Sequence, residues 1–151
     1  MKIWVDADAC PVAIKEILFR ASFRTQIKIT LIANHHVPIP KSPHIKMIQV
    51  SSGFDIADEE IVKRMEPGDL VVTSDIPLAA DALGKEGLVL SPRGERLTKD
   101  NIGARLNMRD FMESMRASGV TTSGPSALSQ SDRKAFADEL DKLISRKTGN
   151  A

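Results

Sequence analysis

The chain has 151 residues, 42% of them hydrophobic and 27% charged, with a formal net charge of +1. That is the make-up of a single average globular domain, spanning 1–151, and it excludes a disordered, collagenous or coiled-coil chain. No apolar run approaches the ~20 residues of a membrane span, and the opening MKIWVDADAC meets two aspartates too early for a signal peptide, so a cytoplasmic protein without membrane contact is expected.

In chain order, residues 2–6 predict a first strand. Pro11 then suits the first position of a helix, and Ile14, Ile17, Leu18 and Ala21 recur at one-face helical spacing to about residue 24. Residues 27–33 (IKITLIA) and 45–50 (IKMIQV) predict two more strands, separated by a loop holding His35, His36 and three prolines. A helix is expected over about 55–66, stopped by Pro67-Gly68. The all-apolar run of residues 70–73 (LVVT) reads as a strand covered on both faces. Pro77 opens another helix that Gly87 closes, and residues 88–90 make a fifth strand. Beyond Arg93 the pattern becomes helical: one helix over 101–118, with Met108, Phe111, Met112 and Met115 on one face, and a last one over 131–146, with Phe136, Leu140, Leu143 and Ile144 at core spacing. Between them, 119–130 is a Gly/Ser/Thr/Pro loop, and 147–151 is expected to fray. Strands alternating with helices predict a three-layer α/β/α fold with a mainly parallel central sheet of about five strands, followed by C-terminal helices.

In such a sheet ligands bind outside the carboxyl ends of the strands, and the residues expected there are mostly aspartates. Asp6 and Asp8 end the first strand, and an extended path through both points them to one side. Asp55 and Asp58 stand three apart at the start of a helix, on one face. Thr73, Ser74 and Asp75 end the fourth strand. Carboxylates from three segments repel one another unless a cation neutralises them, and oxygen donors favour Mg²⁺ or Mn²⁺. Zinc would want the histidine or cysteine that is scarce here. A hard ion on such a rim suits hydrolysis of phosphate esters, and no organic cofactor is implied.

Simpler roles exist for the same residues. Asp55 could cap its helix with Asp58 as reciprocal partner, and Asp8 could cap the helix beginning near Pro11. Asp69 and Asp81 read as solvated or capping residues, and His35 and His36 as polar loop residues. Cys10, the one cysteine, precedes a helix with no resolving partner in sequence and reads as a packed thiol. Residues 1–92 carry 10 basic and 12 acidic side chains, whereas 93–151 carry 11 and 8. That excess leaves Arg93, Arg96, Lys99, Arg105 and Arg109 either to grip phosphates beside the acidic rim or to form a plain basic helix face. With no tyrosine and one tryptophan, a stacking single-strand binder is disfavoured.

The segments VDADACP, GFDIADEEIV, VVTSDIPLA, LSPRGE and TSGPSALSQSDRKAF together resemble the bacterial YaiI/YqxD family, placed in the PIN-like nuclease superfamily, over essentially the whole chain. The resemblance implies a PIN-like fold and metal-dependent cleavage of RNA. It assigns Asp6 and Asp75 to Mg²⁺ or Mn²⁺, with Asp8, Asp55 and Asp58 as further ligands or water orienters. From their positions beside the rim, Ser74, Arg93 and Arg109 are expected toward the substrate. Two other readings remain. Asp6-Ala7-Asp8 also matches the nucleophile and general-acid pair of haloacid-dehalogenase-like phosphatases, and a noncatalytic RNA- or protein-binding module could keep the rim as a vestige.

Overall fold

In the computed structural model, which describes residues 1–53, 55–119 and 127–148, the five expected strands form one sheet. They are β1 (Lys2–Asp6), β2 (Lys28–Ala33), β3 (Ile45–Gln49), β4 (Leu70–Val72) and β5 (Leu88–Leu90), and β6 (Arg96–Leu97) joins them. The order is β3-β2-β1-β4-β5-β6; the first five run parallel and β6 antiparallel to β5. The sequence reading stopped at β5, because a two-residue strand is too short to show a period. β6 is set instead by the turn before it, where Gly94 N–H donates to the Ser91 carbonyl and Ser91 N–H to the Glu95 carbonyl.

Strand alternation builds the layers. Ile3 and Val5 of β1 face a core with Leu31, Leu70 and Val72 that α1 (Val12–Thr25) and α5 (Gln130–Thr148) cover through Ile14, Leu18, Phe136 and Leu140. Trp4 points the other way, with Ile32, Val71 and Val89, under α2 (Ile56–Arg64) and α3 (Ile76–Gly84). Each central strand is thus apolar on both faces, as a parallel sheet between two helical layers requires. The chain belongs to the α/β class with three layers.

One expectation for the C-terminal third changes, and one helix is more exposed than its neighbours. α4 (Ile102–Ala117) forms where expected, yet buries no residue: Met108 is 56% and Phe111 57% exposed. Ile102 at its start is what packs against the α2/α3 layer. Helical spacing of apolar residues reveals an amphipathic face, not what lies on it. α5 runs on through Thr148, beyond the expected fraying point, while the expected loop from 120 to 126 and the end from 149 lie outside the described residues.

At the amino ends of the strands, Asp69 is buried rather than solvated. Its carboxylate accepts the Lys2 N–H at 3.0 Å, the Trp4 Nε1–H at 3.0 Å and the Glu66 N–H at 2.9 Å, pinning β1 to the turn before β4. On the other side of the sheet, Gly94 sits at φ +87 with its α-carbon pressed on α5, so that a β-carbon there would lie 2.6 Å from the Ala135 carbonyl carbon. Gly94→Ala is therefore expected to cost about 2–4 kcal/mol, from the left-handed backbone and the overlap together. Thermal melting should fall by roughly 10 °C; a fall of less than about 2 °C would mean that the turn moves freely off α5.

Candidate active site

The strand order decides where a site can form. From β1 the chain proceeds to β2 and β3 on one side, while β4 leads to β5 on the other, so the connections diverge at the carboxyl ends of β1 and β4. A crevice opens at such a switch point.

Asp6 ends β1 there, only 7% exposed. Its Oδ2 accepts the Thr73 hydroxyl at 2.9 Å, and the same Thr73 oxygen accepts the Asp75 N–H at 2.9 Å. One hydroxyl thus locks the end of β1 to the end of β4. Asp75 is the N-cap of α3, its Oδ1 taking the Leu78 N–H at 2.9 Å, with Pro77 in the first turn. Asp58, in the first turn of α2, lies close enough to Asp75 for the two side chains to interact. Burial first, then the charges of Asp75, Asp6 and Asp55, push the Asp58 carboxyl up to about 7. Burial also raises Asp6, partly offset by the Thr73 hydrogen bond, with the charges of Asp75 and Asp8 adding to the rise. Asp6, Asp58 and Asp75 are therefore close enough to feel one another strongly, as the rim argument requires.

Asp55 stands at the N-cap of α2 in a left-handed conformation, φ 63, and its side chain makes no capping hydrogen bond. The capping role open to it in the sequence is not used; its charge acts on Asp58 instead. Asp8 departs from the alternation argument. A 3-10 turn at Ala7–Ala9 ends the extended path, and Asp8 turns toward the end of β2, where it accepts the Asn34 N–H at 3.0 Å and pairs with His35 Nδ1 at 2.7 Å. Nor does it cap α1, whose N-cap is Pro11 with no side-chain bond. His35 was read as a plain loop residue; its place directly after a strand's carboxyl end was the available signal.

The donor set is all oxygen. Among the described residues no group of three or more His, Cys, Asp or Glu is arranged to hold a metal ion by itself. A pair of neighbouring carboxyls fits an ion that takes one or two carboxylates and keeps water and phosphate as its remaining ligands, which describes Mg²⁺ and Mn²⁺. It does not fit Ca²⁺, which wants more protein oxygens, or Zn²⁺. Asp58 and Asp75 would hold such an ion, with Asp6 behind them.

A family profile described as "Uncharacterized BCR, YaiI/YqxD family" matches residues 4–146. The chain belongs to the YaiI/YqxD family. A UPF0178 protein of Colwellia psychrerythraea is 67% identical over 146 residues, 97% of each chain. Another, of Thioalkalivibrio sulfidiphilus, is 63% identical over 97% of this chain and 100% of its own, and one of Vibrio cholerae is 60% identical over 99% and 100%. No solved structure matches the chain. These names give a family and no reaction, so the chemistry rests on the site.

In this YaiI/YqxD member two clefts open around Asp75. One, of about 370 Å³, lies between α2 and α3 and is lined by Asp55, Asp58, Lys63, Pro77 and Asp81, so Asp81 also faces the acidic region. The other, of about 480 Å³, is lined by Ser74, Ile76, Ser91, Arg93, Leu97 and Arg105, among others. Arg93 is held there by Asp132 at 2.7 Å. Arg109 lies on α4, paired with Glu113 at 3.2 Å, and lines neither cleft. Cys10 is buried, which pushes its thiol up to about 12, far from a nucleophile's range. Among the described residues no helix is long and apolar enough to cross a membrane.

Proposed function

We propose that the chain is a divalent-metal-dependent ribonuclease of PIN-like type, hydrolysing RNA phosphodiester bonds at the carboxyl ends of β1 and β4. The observation that carries this reading is the meeting of the buried Asp6, tied through Thr73 to Asp75, with Asp58 at the carboxyl ends of β1 and β4. A crowded carboxyl pushed up to about 7, as Asp58 is, marks a place where a cation replaces a proton. Mg²⁺ or Mn²⁺, when bound, supplies positive charge to the reacting phosphate and acidifies water. The chain's own side chains do the rest: Asp58 and Asp75 hold the ion, Thr73 fixes Asp6 and Asp75 relative to each other, and Asp55 turns its carboxylate to the acidic rim where an attacking water would be oriented. Asp8, engaged by Asn34 and His35, is not placed as the general acid a phosphatase with an Asp6 nucleophile would need, which favours hydrolysis without a covalent intermediate. A cytoplasmic location goes with RNA as the partner and with a lone, buried cysteine.

The proton makes a prediction of definite sign. Asp58 is raised in the folded state, so between about pH 4 and 7 the native protein binds a proton that the unfolded chain has lost. Stability from this group is present at low pH and disappears as pH rises toward 7. At pH 8, Asp58→Asn should raise the melting temperature, and at pH 5 it should change little. Mn²⁺ should stabilise the native protein more at pH 8 than at pH 5, and this gain should shrink in the variant. An equal Mn²⁺ shift in Asp58→Asn would place the ion elsewhere. The direct test is cleavage of single-stranded and hairpin RNA with Mn²⁺ or EDTA.

A further inference from the structure

The 480 Å³ cleft is not built to take a phosphate. Its two arginines already face carboxylates: Arg93 meets Asp132, and Arg105 meets Glu95 through two nitrogens, Nε at 3.0 Å and a terminal nitrogen. With Glu95 itself in the wall, the lining is close to neutral, and its other surfaces are Pro11, Ile76, Pro92, Leu97 and Leu128. A free phosphate would find paired guanidiniums and hydrocarbon.

One polar group in the wall has a hydrogen to give. Ser91 is 9% exposed, and its hydroxyl oxygen accepts the N–H of Arg93 at 3.3 Å and of Glu95 at 3.2 Å. Both bonds use its lone pairs, and among the described residues it donates none. A buried hydroxyl that only accepts leaves its hydrogen for a ligand acceptor. Arg105, forked on Glu95, is a flat plate held in place in the same wall. The volume falls in the range of small-molecule sites, roughly 300–1,000 Å³.

We propose that this cleft seats a nucleobase, its faces against Ile76, Leu97, Leu128 and the Arg105 plate, and one ring acceptor taking the Ser91 hydroxyl. Ser74 and Ile76 line the cleft on either side of Asp75 in the chain, so a nucleotide bound there carries its phosphate toward Asp75 and Asp58. The cleft is then the base subsite of the ribonuclease reading, on which it rests only for the position of that phosphate. It also explains how a chain with one tryptophan and no tyrosine could hold a base without an aromatic platform.

The test uses AMP, UMP, ribose 5-phosphate and inorganic phosphate, titrated by ligand-observed NMR in EDTA, so that no metal contributes. AMP or UMP should bind at least about tenfold more tightly than ribose 5-phosphate, since ring burial is the source of affinity. Ala9→Trp, at an exposed position in the wall, should abolish nucleotide binding, and Arg105→Ala should weaken it, both with unchanged melting temperature. Ribose 5-phosphate binding as tightly as AMP, or nucleotide affinity unaffected in both variants, overturns the proposal. The two readings fail separately. AMP binding without any RNA cleavage keeps the cleft and removes the nuclease, whereas RNA cleavage with an unchanged KM in Ala9→Trp keeps the nuclease and removes the base subsite.

Discussion

Asp75→Asn and Asp6→Asn are each expected to lower kcat for metal-dependent RNA cleavage by about 10²–10³-fold, with little change in fold. The magnitude follows from removing a preorganised charge at a site whose chemistry depends on electrostatic stabilisation, where single deletions cost about 10²–10³. The fold should persist because asparagine at position 75 still offers an oxygen to the Leu78 N–H and remains a good N-cap. It also relieves repulsion among Asp6, Asp58 and Asp75, so without metal the variant should be at least as stable as the parent. Asp58→Asn, which removes the other ligand of the ion, should lower kcat to a similar extent, Asp55→Asn should weaken cleavage without abolishing it, and Cys10→Ser should retain activity, its thiol being buried and raised to about 12. Steady-state kinetics with Mn²⁺ on single-stranded RNA reads all of these. A folded parent protein with no metal-dependent product would move the reading to a noncatalytic binding module, and a dead Cys10→Ser with parental stability would point to covalent chemistry.

Strand positions were legible because fully apolar runs bounded by glycine, proline and charge have few other uses, and β1 and β5 fall where read to the residue. The alternation of strands and helices predicts the parallel sheet, while the pairing of β1 with β4, which creates the crevice, joins residues far apart in sequence. Three features escaped for a common reason: each depends on contacts between residues distant in sequence. Asp8 pairs with His35 across two connections, a destination that alternation along one strand cannot give. The stripe on α4 has the periodicity of a core helix, and only the packing of Ile102 at one end shows how little of it touches the body. Asp58 and Asp75 are seventeen positions apart, and their interaction arises only when α2 and α3 lie side by side. The aspartates were visible as a chemical class, and their division of labour was not.

Asp69→Ala should be the most destabilising of these single substitutions, and it should act without touching the site. Read from the sequence, Asp69 was a turn residue; in the fold its two oxygens serve the Lys2 N–H, the Glu66 N–H and the indole of Trp4. Removing the carboxylate leaves three donors without acceptors in a buried place, at about 1–3 kcal/mol each before water re-enters, so a loss of about 3–6 kcal/mol is expected. Against a typical stability of about 5–15 kcal/mol this brings the protein near its folding limit. The exposed Lys2–Glu66 ion pair beside it, with Glu66 67% exposed, cannot compensate. Trp4 is the one tryptophan, so its fluorescence during urea unfolding follows both the network and the global transition. Trp4→Phe deletes one donor and its partner bond together, so it should cost less than Asp69→Ala. The double variant should cost less than the sum, because the indole no longer strands a donor. Additive losses would mean that Asp69 and Trp4 act independently, and a loss below about 1 kcal/mol would mean that water replaces the carboxylate. Because Asp69 precedes β4 and Asp75 follows it, KM for RNA at a temperature where the variant is folded should equal that of the parent.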